Sequence, residues 1–443
     1  MRAACLALAL CACTPNVQTS EPGGAGGRDG GGTGGDGSVE DAGTGGKPDG
    51  GGSPGSAVPP KGLGPWTGKD NVPPSPAPPG GLKPAQVPMF VTFGFDDNGY
   101  SGLPGTNGTG GMSWAADFFR TLVNAQGRGN ARTYDGAPAR ASFYVTATYG
   151  AMWISESNAY VKRAWHTLMT DGHEIANHTL SHNHGEAWDE PMWLQEIQAC
   201  IDVLTRPFDP MEMNVSPDAT KGIGMAAADF YGFRTPFLEY DGETFAALSK
   251  LKFWYDCSIE DGYQSEQDGT NYFWPYTLDN GSPGHDVIVS WGNGKKPIGK
   301  YPGLWELPAN PVIVPPDAEC AKYGVPPGLR AKFKALQSWY DAESGKITGL
   351  DYNMWVQFKM TKAEYLATLK YTLDLRLRGN RAPFAFGAHS DIYSSKYTAA
   401  EGAAVAERQQ AMEEFIRYAL SKPEVRVVTV KQILDWIRNP APL

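Results

Sequence analysis

Short apolar runs alternate along this chain with stretches whose apolar residues recur every three to four positions. The runs lie at residues 87–95, 141–146, 173–176, 230–234, 253–258, 304–308, 383–387 and 425–429. Each ends in polar or glycine-rich sequence, the signature of a buried strand bounded by a loop. Between them lie helical patterns. In 113–124 the stripe is Trp114, Ala115, Phe118, Phe119 and Leu122; in 158–169 it is Tyr160, Val161, Ala164, Trp165 and Leu168. The segments 192–204, 242–251, 362–377 and 399–420 repeat the helical period. Strands alternating with helices predict parallel strands joined by crossover helices. Seven or eight such units favour a barrel, in which chemistry gathers at the C-terminal strand ends. Residues 263–301, rich in Gly, Pro, Asn and aromatics, read as a long excursion between strands.

The N-terminal part breaks this pattern. Met1-Arg2 followed by an apolar stretch to Cys13 reads as an export signal, shorter than the ~20 residues a membrane helix needs. Leu10-Cys11-Ala12-Cys13 resembles a bacterial lipobox, with Cys13 as the lipidated residue. Residues 13–84 are mostly Gly, Pro, Ser and Asp and read as a tether. The expected organisation is a signal at 1–12, a linker at 13–84 and a catalytic domain at 85–443. No later segment is apolar enough to span a bilayer, so attachment is expected through Cys13, at the cell envelope (outer membrane) or by plain secretion.

Net charge adds an exclusion. At −10, with no Lys/Arg-rich run, the chain offers no surface for nucleic acid. Cys200, Cys257 and Cys320 remain after the signal and allow at most one internal disulfide.

Candidate chemistry sits where the barrel rule puts it. Asp96 and Asp97 close the first apolar run. His178 and His182 follow the third, spaced so that one helical turn would present both. Five of the seven histidines cluster between 166 and 184. One carboxylate and two imidazoles leave a divalent metal an open position, and the second carboxylate can serve as base. No nucleophile elbow, phosphate loop or dinucleotide loop is present. Trp188, Trp193, Trp274, Tyr276 and Tyr393 are aromatic candidates for stacking on sugar rings.

Phe95-Asp96-Asp97, residues 141–146, the run Gly172-His173-Glu174 through His182, and Phe233-Arg234-Thr235-Pro236-Phe237 resemble, in order, the blocks of the polysaccharide deacetylases. These are the NodB-homology domains of carbohydrate esterase family 4. Residues 255–258, 274–279, 301–308 and 381–384 look most like its chitin-deacetylase-like branch. The resemblance implies an α/β fold, a deformed (β/α) barrel of about seven parallel strands, and a divalent ion, usually Zn2+ with Co2+ or others possible. It implies Asp97, His178 and His182 as ligands, Asp96 as base and Arg234 as the arginine that orients it. It further implies the Phe237 N–H as oxyanion donor and His389 as the acid that protonates a leaving amine. The implied substrate is an acetylated polysaccharide, chitin-like or peptidoglycan. An O-acetyl esterase acting on xylan and a non-catalytic carbohydrate-binding envelope protein are the alternatives. Gly94 stands where threonine is common, Asn98 where glycine or alanine is, and Phe237 where tyrosine is. The aspartate that orients His389 is not evident; Asp256 and Asp261 are candidates.

Overall fold

A computed structural model describes residues 68–292 and 295–443. The signal segment, Cys13 and most of the expected tether lie outside the described residues. The last stretch of that tether lies against the barrel. Thr277 and Val72 exchange hydrogen bonds, the Trp274 N–H donates to Ser75 O at 3.0 Å, and Asp70 meets both Trp305 Nε1 and Arg438.

Eleven strands are present among the described residues: β1 Met89–Asp96, β2 Ser142–Val145, β3 Glu174–Asn177, β4 Gly232–Phe233, β5 Tyr255–Asp256, β6 Tyr276–Thr277, β7 Trp305–Glu306, β8 Pro311–Ile313, β9 Lys346–Thr348, β10 Phe384–His389 and β11 Val425–Val427. Nine form one sheet in the order β10-β1-β2-β3-β4-β5-β7-β6, with β11 also on β1. All its pairings are parallel except β6 on β7. The sheet curls with β10 and β6 unpaired with each other. This is a deformed (β/α) barrel, and its eight parallel strands agree with the expected seven or so. Each of the eight apolar runs overlaps one of the eight parallel strands.

Crossover helices follow the expected segments: Gly111–Arg120, Asn158–Thr170, Glu190–Thr205, Gly242–Lys250, Lys362–Arg378 and Val405–Leu420. Their starts are fixed locally. Asp189 and Asp241 cap two of them, and Thr361 with Glu364 closes a capping box on a third. All eight residues of β1 are buried, as a strand covered on both faces must be. Phe93 and Phe95 pack with Phe119, Phe143, Phe386 and Phe415 into the main core.

Features not expected from the sequence pattern include the antiparallel β8–β9 pair, strand β6, helix Pro283–Ser290 inside the expected excursion, and helices Leu329–Leu336 and Val430–Arg438. The strands are two or three residues long, too short for a period to show. The last crossover helix begins at Val405 rather than 399, after Gly402 packs against the Lys359 backbone.

Candidate active site

The site forms at the C-terminal ends of β1, β3, β4 and β10. Asp96 is the last residue of β1, and Asp97 and Asn98 follow it with φ of 66° each. Two left-handed residues in succession turn the chain sharply, so both carboxylates face one pocket. Asn tolerates this region better than most residues. Its side chain then holds the turn, donating to Phe95 O at 2.8 Å and Tyr144 O at 2.9 Å.

The two histidines are not on a helical turn. β3 ends at Asn177, and residues 178–184 form a loop in which Thr179 and His182 have positive φ. These reversals, rather than helical spacing, bring the two rings together, with centroids 5.0 Å apart. His178 Nδ1–H donates to Arg234 O at 2.7 Å, which leaves the Nε2 lone pair pointing at Asp97.

Asp97 Oδ1 lies 3.0 Å from His182 Nε2 and 3.6 Å from His178 Nε2. It is buried with no hydrogen-bond partner. Ligand atoms of all three residues lie within 4.8 Å of one another. Tetrahedral zinc with N and O ligands holds its donors about 3.3 Å apart. The orphaned oxygen and these spacings therefore fit a divalent ion. Burial works against the Asp97 charge, but His182, His389 and His178 together hold its carboxyl below the usual range. Burial and the neighbouring His182 push His178 down to about 3, which keeps it neutral as a ligand must be.

Asp96 has a different partner, Arg234. Arg234 Nη1 donates to its Oδ1 at 2.9 Å and its Oδ2 at 3.2 Å. Burial outweighs this cation and raises Asp96 to about 6. Arg234 is fixed in turn by Nε donating to Cys257 O at 3.2 Å and by the Tyr144 ring under its guanidinium, 4.6 Å away. Gly94 is explained here. A Cβ at 94 would sit 2.9 Å from both Arg234 Nη1 and Tyr144 Cε2, so a side chain there would displace the arginine.

His389 ends β10. Its Nδ1–H donates to Asp351 Oδ1 at 2.7 Å, and its backbone N–H to Asp351 Oδ2 at 3.0 Å. Burial alone would lower its pKa; the contact with Asp351 reverses this and raises it to about 10. Asp351, fully buried, is the partner that the sequence reading sought at Asp256 or Asp261. Asp256 instead accepts from the Ser258 N–H and hydroxyl, both at 2.8 Å. Asp261 accepts from Gly262, Gln264 and Tyr276. The available signal was Asp351 standing four residues before Trp355.

Phe237 follows β4 with φ 57°. Its ring meets His182 edge-on at 4.6 Å and stacks on His184 at 4.1 Å. His184, half exposed, pairs with Glu239, and His173 accepts from the Ala141 N–H in the core. Trp193, Trp274, Tyr276 and Tyr393 are buried, their rings packed against protein. The three cysteines outside the signal are buried free thiols.

No family model matches the chain. It is 23% identical over 357 residues to "Chitin deacetylase 8" of Bombyx mori, covering 80% of this chain and 72% of that protein. Solved structures similar to it include one described as a polysaccharide deacetylase from Mycobacterium smegmatis. That pair shares 16% identity and a TM-score of 0.42, over 84% of this chain and 98% of the other. A family 4 carbohydrate esterase from Streptomyces lividans matches at 17% identity and a TM-score of 0.24, over 38% and 61%. The likeness to a chitin deacetylase thus extends over most of the chain, beyond the separate motifs.

Proposed function

We propose that this protein is an exported, metal-dependent deacetylase that removes N-acetyl groups from a polysaccharide built on N-acetylglucosamine, chitin-like or peptidoglycan. Asp97, His178 and His182 hold the ion, most plausibly Zn2+. When bound, such an ion supplies Lewis acidity toward water and an acetyl carbonyl. Asp96 takes the proton of the attacking water, and its raised pKa suits a base that works near neutral pH. Arg234 keeps that carboxylate aimed at the pocket. The Phe237 N–H donates to the oxyanion as charge develops on the acetyl oxygen. The C–N bond then breaks, and His389 gives its proton to the departing nitrogen. Acetate and a free amine result.

The observation that carries this reading is the pairing of an Asp/His/His cluster with a separately placed histidine held by the buried Asp351 carboxylate. The acid also favours N- over O-deacetylation. An alkoxide leaves with little help, whereas an amine needs a proton, and Asp351 keeps one on His389. At the N-terminus, Cys13 is proposed as a lipid anchor that places the enzyme at the cell envelope.

The test is acetate release from chitin oligomers, peptidoglycan and acetylated xylan, with the protein metal-loaded and after chelation. Metal-dependent release from an N-acetylated polymer is expected. Release from xylan alone would move the assignment to an esterase, and metal binding without release from any of them to a binding protein.

A further inference from the structure

The left-handed turn at Asp97 and Asn98, two positive-φ residues in succession, is held from outside itself as well as by the Asn98 side chain. Part of the restraint is visible in the elements that pack on it. The Thr146 N–H donates to Asp97 O at 3.1 Å, and Trp165 Nε1–H to Asn98 O at 3.0 Å. A further tie comes from the end of the neighbouring strand β10, from a residue with no part in the proposed chemistry.

Asp391 is buried, 7% exposed, two residues beyond His389. Its Oδ1 accepts the N–H of Gly99 at 2.9 Å and of Tyr100 at 3.1 Å. Oδ2 accepts from Gly99 at 3.2 Å, and the Ser390 hydroxyl lies 3.4 Å from Oδ1. No lysine, arginine or histidine forms an ion pair with it among the described residues. A buried carboxylate is costly unless its oxygens are satisfied. Here two successive backbone N–H groups do most of that work, and those two groups belong to the exit of the turn that carries Asp97. The same carboxylate sits two residues past the end of β10, on the short turn that continues from His389. One side chain therefore links the strand end bearing the ligand and base to the strand end bearing the acid.

We propose that Asp391 is a positioning residue. By accepting the Gly99 and Tyr100 N–H groups it holds the left-handed turn that presents Asp97 to the metal, and so sets metal affinity without touching the ion. The inference rests on the metal-centre reading given above.

The experiment is a zinc titration of the full-length apoprotein against a chromophoric chelator, for wild type, Asp391→Ala and Asp391→Asn, with apoprotein melting curves alongside. Partners that orient a ligand contribute about 10–100-fold to affinity, so Asp391→Ala is expected to bind zinc weaker by that factor. Asp391→Asn keeps an oxygen where Oδ1 accepts both N–H groups and is expected to bind within about threefold of wild type on the same basis. If Asp391→Ala does not fold, Asp391→Leu, matched in size to Asp391→Asn, takes its place. A folded Ala or Leu variant with wild-type affinity overturns the proposal. So does an Asn variant as weak as Ala, since side-chain size rather than the acceptor would then matter. Absence of zinc binding by wild type would overturn the metal-centre reading and this role together, which separates that failure from the first.

Discussion

Asp96 and His389 are register partners at the C-terminal ends of the adjacent parallel strands β1 and β10. In the proposed reaction one takes a proton from the nucleophile and the other gives one to the leaving group. The ladder fixes their separation, and each has its own partner: Arg234 for Asp96 and Asp351 for His389. Burial and partner act oppositely on the two, raising a carboxylate to about 6 and an imidazole to about 10.

The pH profile follows from those directions. Asp96 works deprotonated, so kcat/KM should rise as pH passes upward through about 6. His389 works protonated, so activity should fall as pH passes through about 10. Initial rates of acetate release across this range check both limbs. Asp96→Asn should retain the metal and lose turnover, by on the order of 100-fold or more; an unchanged rate removes Asp96 as the base.

Asp351→Asn removes the charge that holds the proton on His389. The alkaline limb is expected to move to lower pH, and kcat on an N-acetylated substrate to fall by on the order of 100-fold. Metal content should not change. An O-acetyl ester should lose much less, because its leaving group needs less acid. Equal losses on both substrates would count against His389 as the acid.

Asp97→Ala and His178→Ala each delete a proposed ligand. Zinc affinity should fall by more than the roughly 10–100-fold that orienting partners contribute, and activity should fall with it. Equilibrium dialysis and acetate release, run on the same samples, check this. Turnover that survives in chelated wild-type protein would remove the metal from the mechanism.

Trp153 is 59% exposed, next to Met152 at 60%, in the loop that follows β2 at the catalytic end of the barrel. That loop is tied to the Asp97 turn through the Ser155 hydroxyl on Gly99 O and Glu156 on the Ser101 N–H. It is the exposed tryptophan among the described residues, and its ring face can take a sugar. Trp153→Ala should raise KM for long oligomers about three- to tenfold, the equivalent of roughly 1 kcal/mol of aromatic contact, with kcat unchanged. No change in KM at any chain length would count against a stacking role.

The parallel strands were legible because each overlaps a short, largely apolar run, and such runs come from strands covered on both faces. β6, β8 and β9 offer only two or three residues each, and nothing in so short a segment sets a period. The clustering of Asp97, His178 and His182 was legible in spacing and residue type, yet for a wrong local reason. Backbone reversal at Thr179 and His182, invisible to periodicity, brings the imidazoles together. Asp351 was missed because it opens a short helical segment before helix Lys362–Arg378, distant in sequence from His389. Contacts at 38 residues' separation leave no local pattern.

Gly94 looks like a departure from the common sequence pattern, but its neighbours account for it. The space that a threonine would occupy is filled by the Arg234 guanidinium and the edge of Tyr144. Positions 94, 144 and 234 are therefore sterically coupled. A side chain introduced at 94 requires the Tyr144 ring or the Arg234 guanidinium to move aside. Engineering that borrows only one of the three from a relative would import a mismatch, while exchanging all three together should carry the base–arginine geometry across intact.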